Sequence, residues 1–192
     1  MGRDRASRPE ARPQRLFVAI EIPDDVRALV AAAVEPLHAE RRHARWVPRE
    51  NQHVTLKFLG STWPRLVDWV LESIGEVATA SEAFDTRVDG LGAFPSERRA
   101  RVLWAGLDDA AGRLADLAGA LDRALEREFA PEKRAFTPHL TVARFDPAER
   151  LPALSMDLHS EVFRVDRLVL FRSHLRRPAP VYEAVETFVL GG

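Results

Sequence analysis

Two short segments carry a histidine and a threonine at positions i and i+2: His53-Val54-Thr55 and His139-Leu140-Thr141. In a β-strand, residues i and i+2 point to the same face. Each segment therefore offers one imidazole and one hydroxyl together, while Val54, Leu56, Leu140 and Val142 turn the other way. Near neutral pH one imidazole can accept a proton while a second donates one. In-line displacement at phosphorus needs such a pair, a base on the entering oxygen and an acid on the leaving oxygen. Threonine hydroxyls can donate to the non-bridging oxygens without adding a titrating charge. With 6 His and 7 Thr in 192 residues, chance gives about 0.2 copies of His-x-Thr. Two copies, both flanked by aliphatic residues, mark a constellation.

Chemistry of this kind needs rigid supports. Residues 15–22 (RLFVAIEI) are apolar and β-branched, and Pro23 ends them. They predict a buried strand. Pro23, Asp24 and Asp25 suit a helix N-terminus. Val26, Leu29, Val30, Ala33 and Leu37 continue at helical spacing, so a first helix is expected over 24–41. Strands are expected at 45–47, 51–60, 84–91 and 101–107, with a loop over 92–100. Leu66, Val70, Ile74 and Val77 predict a second helix over 65–80. Asp108 and Asp109 can cap a third, with its stripe at Leu114, Leu117, Ala118, Leu121 and Leu125. Strands follow at 138–145, 161–171 and 181–190. This order predicts an α+β fold, with helices packed on largely antiparallel sheet. One internal echo stands out: HVTLKF at 53–58 and HLTVARF at 139–145. It points to two lobes that present matching strands to one cleft.

The chain has no cysteine, which excludes disulfides, thiolate nucleophiles and cysteine-bound metals. A reducing compartment, and so a cytoplasmic location, is the expectation. Net charge is −1. Proteins that coat long nucleic acid usually carry a large basic excess, so any nucleic-acid work is expected at an end or a small site. No stretch approaches the roughly 18 apolar residues of a membrane span. Residues 1–13 are Arg-rich and polar, and are read as a disordered leader before a single domain over 14–192.

The paired motifs resemble those of the two-histidine phosphoesterase superfamily. More closely, the chain resembles the bacterial and archaeal RNA 2',3'-cyclic phosphodiesterases, first described as 2'-5' RNA ligases. The resemblance runs through RLFVAIEIP at 15–23, RWVPRENQHVTLKFLG at 45–60, GAFPSERRARVLWAGL at 92–107, FTPHLTVARF at 136–145 and VLFRSHL at 169–175. It implies a bilobal, pseudo-twofold fold with one histidine motif per lobe and a central cleft. It also implies hydrolysis of a terminal 2',3'-cyclic phosphate to a 2'-phosphate, with no metal or cofactor, and a reversible 2'-5' ligation as a companion activity. By the same analogy His53 donates the proton to the leaving 3'-oxygen, and His139 is the base that activates water. RNA 3' ends or short oligonucleotides are the expected partners of a monomer that binds no membrane.

Other residues admit two readings. Arg144 could bind phosphate or stack on a base, but ideal alternation turns it away from His139, so a bulge is required. Lys57 shares parity with His53 and Thr55, as a rim phosphate contact or a solvated lysine. Phe17 could line a nucleoside pocket or belong to the core. Arg98, Arg99, Arg101, Arg172, Arg176 and Arg177 could form a basic rim for RNA or belong to solvated charged loops. Trp46 and Trp104 read as core, His38, His43, His159 and His174 as surface, and Tyr182 is ambiguous. Alternative functions are the same chemistry on ADP-ribose cyclic phosphate, other cyclic nucleotides or 2'-5' oligonucleotides, and a non-catalytic RNA-binding module. A metal phosphoesterase would need clustered carboxylate and imidazole ligands, and neither motif contains a carboxylate.

Overall fold

The computed structural model describes residues 12–154 and 157–191. Of the expected leader only Arg12 and Pro13 fall within them; residues 1–11 lie outside the described residues.

The chain opens with β1 (Gln14–Glu21), whose residues Leu16 to Ile20 are all buried. Helix α1 (Asp24–Glu40) follows, with two aspartates in its first turn and Val26, Val30 and Val34 on its buried stripe. A short β2 (Arg45–Trp46) and one 3-10 turn lead into β3 (His53–Thr62). Helix α2 (Pro64–Ala80) begins with proline at its first position, where no backbone donor is needed. Next come β4 (Phe84–Thr86), β5 (Val88–Phe94), β6 (Ala100–Leu107) and α3 (Arg113–Leu125). Strands β7 (His139–Glu149), β8 (Phe163–Val165), β9 (Arg167–His174) and β10 (Val181–Val189) complete the order. The expected α+β architecture with antiparallel sheet is what forms.

The main sheet runs β10-β9-β1-β3-β7-β6-β5, with β2 beside β7, and every pairing in it is antiparallel. The expected lobes appear as two half-sheets, β10-β9-β1-β3 and β7-β6-β5. They join through the pair Val54↔Leu140. Helix α3 packs on β3 and on α2, and α2 reaches β10, so both cover the first half-sheet. The C-terminal part of α1 faces Leu91 of β5 and the segment 150–154.

Two expected strands are each broken in two. Residues 84–91 divide into β4 and β5, and 161–171 into β8 and β9. The outer pieces pair with each other in a separate two-stranded sheet. The expected loop at 92–100 also shrinks, because β5 continues to Phe94. Gly92 permits this: a Cβ there would lie 2.2 Å from the Trp104 indole, so the ring needs bare backbone beneath it. Helix α3 starts later than its cap residues imply. The Asp109 carboxylate still accepts bonds from the Leu114 and Ala115 amides, at 2.8 and 3.0 Å, and satisfies two orphan donors of the first turn.

Both motif strands carry a β-bulge at the same place. Along β3 the partners in β1 jump from Thr55 to Lys57, leaving Leu56 extra. Along β7 the partners in β6 jump from Thr141 to Ala143, leaving Val142 extra. An extra residue reverses the alternation beyond it. The burial order is accordingly the same in both strands. Leu56 and Lys57, like Val142 and Ala143, are buried in succession, and Phe58 and Arg144 emerge on the motif face.

Candidate active site

His53 heads β3 and His139 heads β7. The antiparallel register set by Val54↔Leu140 directs His53 toward Thr141 and His139 toward Thr55. All four side chains line one cleft of about 1030 Å³. Each imidazole is fixed by the carbonyl two residues before it. His53 Nδ1 bonds to Asn51 O and His139 Nδ1 to Thr137 O, each at 2.8 Å. A carbonyl can only accept, so both Nδ1 atoms carry hydrogen, and in the neutral rings Nε2 holds the lone pair. The Thr55 hydroxyl lies 3.0 Å from His53 Nε2.

The rings are also held by aromatic neighbours. His53 stacks on Phe17 at 4.8 Å and 28°, and Tyr182 meets it edge-on at 5.2 Å. Phe17 in turn stacks on Phe171 at 5.3 Å. His139 meets Phe94 edge-on at 5.2 Å, with Trp104 at 6.4 Å. These surroundings disfavour the charged imidazole. Burial pushes the His53 pKa down to about 4, against the Asn51 bond, and the charges of Arg144 and His139 push the same way. His139 is lowered too, first by burial and then by Arg144, against its bond to Thr137. In the free enzyme both rings are therefore neutral at pH 7. An anion between them reverses the balance, because negative charge favours imidazolium. Burial also raises the Tyr182 phenol, which stays a neutral hydroxyl.

Residues 20–104 and 106–182 match the family described as LigT like Phosphoesterase. The chain belongs to this family. A protein of Aeropyrum pernix named RNA 2',3'-cyclic phosphodiesterase is 36% identical over 148 residues, 72% of this chain and 82% of that one. One of Thermus thermophilus with the same name is 34% identical over 188 residues, 93% and 91% of the two chains. Among solved structures, one from Thermus thermophilus superposes with a TM-score of 0.79 at 31% identity, covering 93% of this chain and 98% of that one. Escherichia coli LigT complexed with NADP+ gives 0.78 at 25% identity, covering 94% and 99%.

In this LigT-like phosphoesterase the other site expectations divide. Arg144 lines the cleft, carried there by the Val142 bulge, and its charge acts on both histidines. Lys57 needs correction. The Leu56 bulge turns it away from His53, and it is only 1% exposed on the opposite face. Its ammonium bonds to Asp122 of α3 and to Ala130 O, the latter at 2.8 Å. Phe58 takes the place expected of Lys57 on the cleft face and is 61% exposed. Phe17 is buried and also lies beneath the His53 ring at the cleft, so its two readings merge.

The expected basic rim does not line the cleft. Arg101 faces Asp146, Arg172 bonds Gln14 and faces Glu183, and the arginines on the cleft wall are Arg15, Arg45, Arg134 and Arg144. Trp46 donates to Arg41 O and packs against the core, whereas Trp104 is half-buried beside His139. His43, His159 and His174 pair with Glu149, Asp89 and Glu183, and His38 packs on Trp46. Sequence reasoning missed Phe171, Phe58 and Arg45 and left Tyr182 undecided. The signal for Phe171 and Tyr182 was register: β9 and β10 carry them to the cleft face beside Phe17.

Proposed function

We propose that this enzyme hydrolyses 2',3'-cyclic phosphates at RNA ends to 2'-phosphates, with His53 and His139 as the acid–base pair and no metal. The reading is carried by one observation: two imidazoles, each with Nδ1 tied to a carbonyl, offer their Nε2 atoms to one cleft. The relatives' shared name is consistent with this substrate, and E. coli LigT was solved complexed with 3'-AMP.

In the proposed reaction water attacks phosphorus opposite the 3'-oxygen. His139 Nε2 takes the water's proton as the new P–O bond forms. His53 Nε2, protonated in the substrate complex, gives its proton to the 3'-oxygen as the P–O3' bond breaks. The Thr55 and Thr141 hydroxyls donate to the non-bridging oxygens, and Arg144 offsets their charge. Burial of His53 opposes this role in the free enzyme, so the substrate's own negative charge must supply the proton affinity. A 5'-hydroxyl attacking in place of water would give a 2'-5' linkage. A monomeric, cytoplasmic enzyme acting on processed RNA ends fits this reading.

Product analysis on a short RNA ending in a 2',3'-cyclic phosphate tests it. A 2'-phosphate product is expected. A 3'-phosphate would reverse the leaving oxygen, and rates far higher on ADP-ribose cyclic phosphate or 2'-5' oligonucleotides would move the substrate class.

A further inference from the structure

We infer that Arg45 and Arg144 together form a second anion subsite, which takes the phosphate on the 5' side of the terminal nucleoside. The inference rests on the reading of the cleft as an RNA-end site. It names the substrate class within that reading: ends that carry a further phosphate, over bare nucleoside 2',3'-cyclic phosphates.

Arg45 lies directly opposite Arg144 in the antiparallel pair of β2 and β7. Directly opposed residues point to one face, with Cβ atoms about 4.5–5.5 Å apart, and like charges so placed destabilise the sheet. Both arginines are exposed and line the cleft. Among the described residues neither has an ion pair. Neighbouring arginines off the cleft do: Arg41 with Glu40 and Glu149, and Arg101 with Asp146. Two unneutralised guanidinium groups side by side are a costly arrangement for the fold alone. A bound phosphate relieves it, because each guanidinium can meet phosphate oxygens with two parallel N–H donors.

The position along the strand fits a second phosphate. Arg144 stands three residues beyond Thr141, roughly 7–10 Å along a strand shortened by its bulge. Its long side chain reaches back far enough for its charge to act on both histidines. Arg45 is level with Arg144, on the edge of β7 that β3 also uses and farther along it than the histidine pair, and is left for an anion farther out. The cleft volume, about 1030 Å³, is at the top of the roughly 300–1,000 Å³ usual for small-molecule sites, which leaves room beyond one nucleoside.

The test compares adenosine 2',3'-cyclic phosphate with its 5'-phosphorylated form. Wild-type enzyme should prefer the 5'-phosphorylated substrate in kcat/KM by about tenfold, the scale of one charge-assisted hydrogen bond. The preference should lie mainly in KM. Arg45→Gln should bring the ratio near one, Arg45→Lys should keep part of it, and high salt should weaken it in the wild type. Titration calorimetry with adenosine 2',5'-bisphosphate and adenosine 2'-phosphate reads the same difference without turnover. A ratio unchanged by Arg45→Gln, or an equal loss on both substrates, overturns the subsite. If neither cyclic phosphate is hydrolysed but the bisphosphate advantage exists and vanishes in Arg45→Gln, the subsite stands and the RNA-end reading falls.

Discussion

Val54 on β3 pairs with Leu140 on β7, and through this pair the two half-sheets become one sheet. Each residue directly follows a motif histidine. The separation of the two imidazoles is therefore set by backbone pairing and not by loops. Both strands then bulge one residue past the motif threonine, at Leu56 and at Val142. The two halves thus repeat geometry as well as sequence.

Replacement of either histidine should remove one proton-transfer group and leave the fold intact. His53→Ala and His139→Ala should each lower kcat by at least about 10²-fold, the lower end for general acid–base groups. Thr55→Val and Thr141→Val each remove a neutral donor, worth roughly 1–3 kcal/mol at a developing oxyanion. Steady-state kinetics beside circular dichroism would decide; near-wild-type turnover in either histidine variant would refute its role.

Much of this arrangement was legible before the structure. The motif histidines, their shared face with the threonines and the helix stripes all follow from periodicity, which is local. What was lost lies beyond the bulges. A bulge is a property of two strands, and neither KF at 57–58 nor AR at 143–144 announces one. Parity therefore put Lys57 on the cleft face and allowed Arg144 there only through a bulge; the structure turns Lys57 away and supplies the bulge that Arg144 needs. The splits at 84–91 and 161–171 were hidden for a similar reason. β-Branched residues continue through both segments, and only the partner strand, β4 with β8, shows the change of sheet.

Lys57 supplies a second prediction. Its ammonium is buried, and its partner Asp122 is itself 22% exposed and also receives the Glu132 amide. Lys57→Met would strand a partly buried carboxylate and free the Ala130 carbonyl. Complete loss of one partner of a fully buried pair costs about 3–5 kcal/mol; here water can reach the aspartate, so about 2–3 kcal/mol is expected. Urea denaturation would measure it. The salt dependence of kcat/KM should not change, because Lys57 faces away from the cleft. A reduced salt slope with unchanged stability would restore Lys57 as a phosphate contact.

Chelation gives a third. Among the described residues no three His, Asp or Glu side chains are grouped so as to hold a metal ion. The proposed acid and base are both imidazoles, and the charge offset comes from Arg144. Turnover in EDTA should therefore equal turnover without it. Loss of activity restored by one particular divalent ion would require a different nucleophile.

The pH dependence separates the free site from the substrate complex. Catalysis needs one imidazole protonated and the other neutral, so both kcat and kcat/KM should be bell-shaped. In the free enzyme burial and Arg144 lower both histidines below 6.5, His53 to about 4. The bell of kcat/KM, which reports the free enzyme, should accordingly centre on the acid side of neutrality. Once the anionic phosphate lies between the rings it stabilises imidazolium, so the limbs of kcat should move to higher pH. The two rings share one substrate, and the limbs belong to the pair and not to single residues. Arg144→Gln removes a positive charge that lowers both rings. Their proton affinity should rise, and the kcat/KM bell of this variant should shift toward neutrality even as its height falls. Rates across pH 4–9 for wild type and variant, with chemistry shown to limit turnover, make the comparison. A kcat/KM bell that shifts to lower pH in Arg144→Gln, or a profile rising without limit toward alkaline pH, would contradict an acid–base pair held in the field of Arg144.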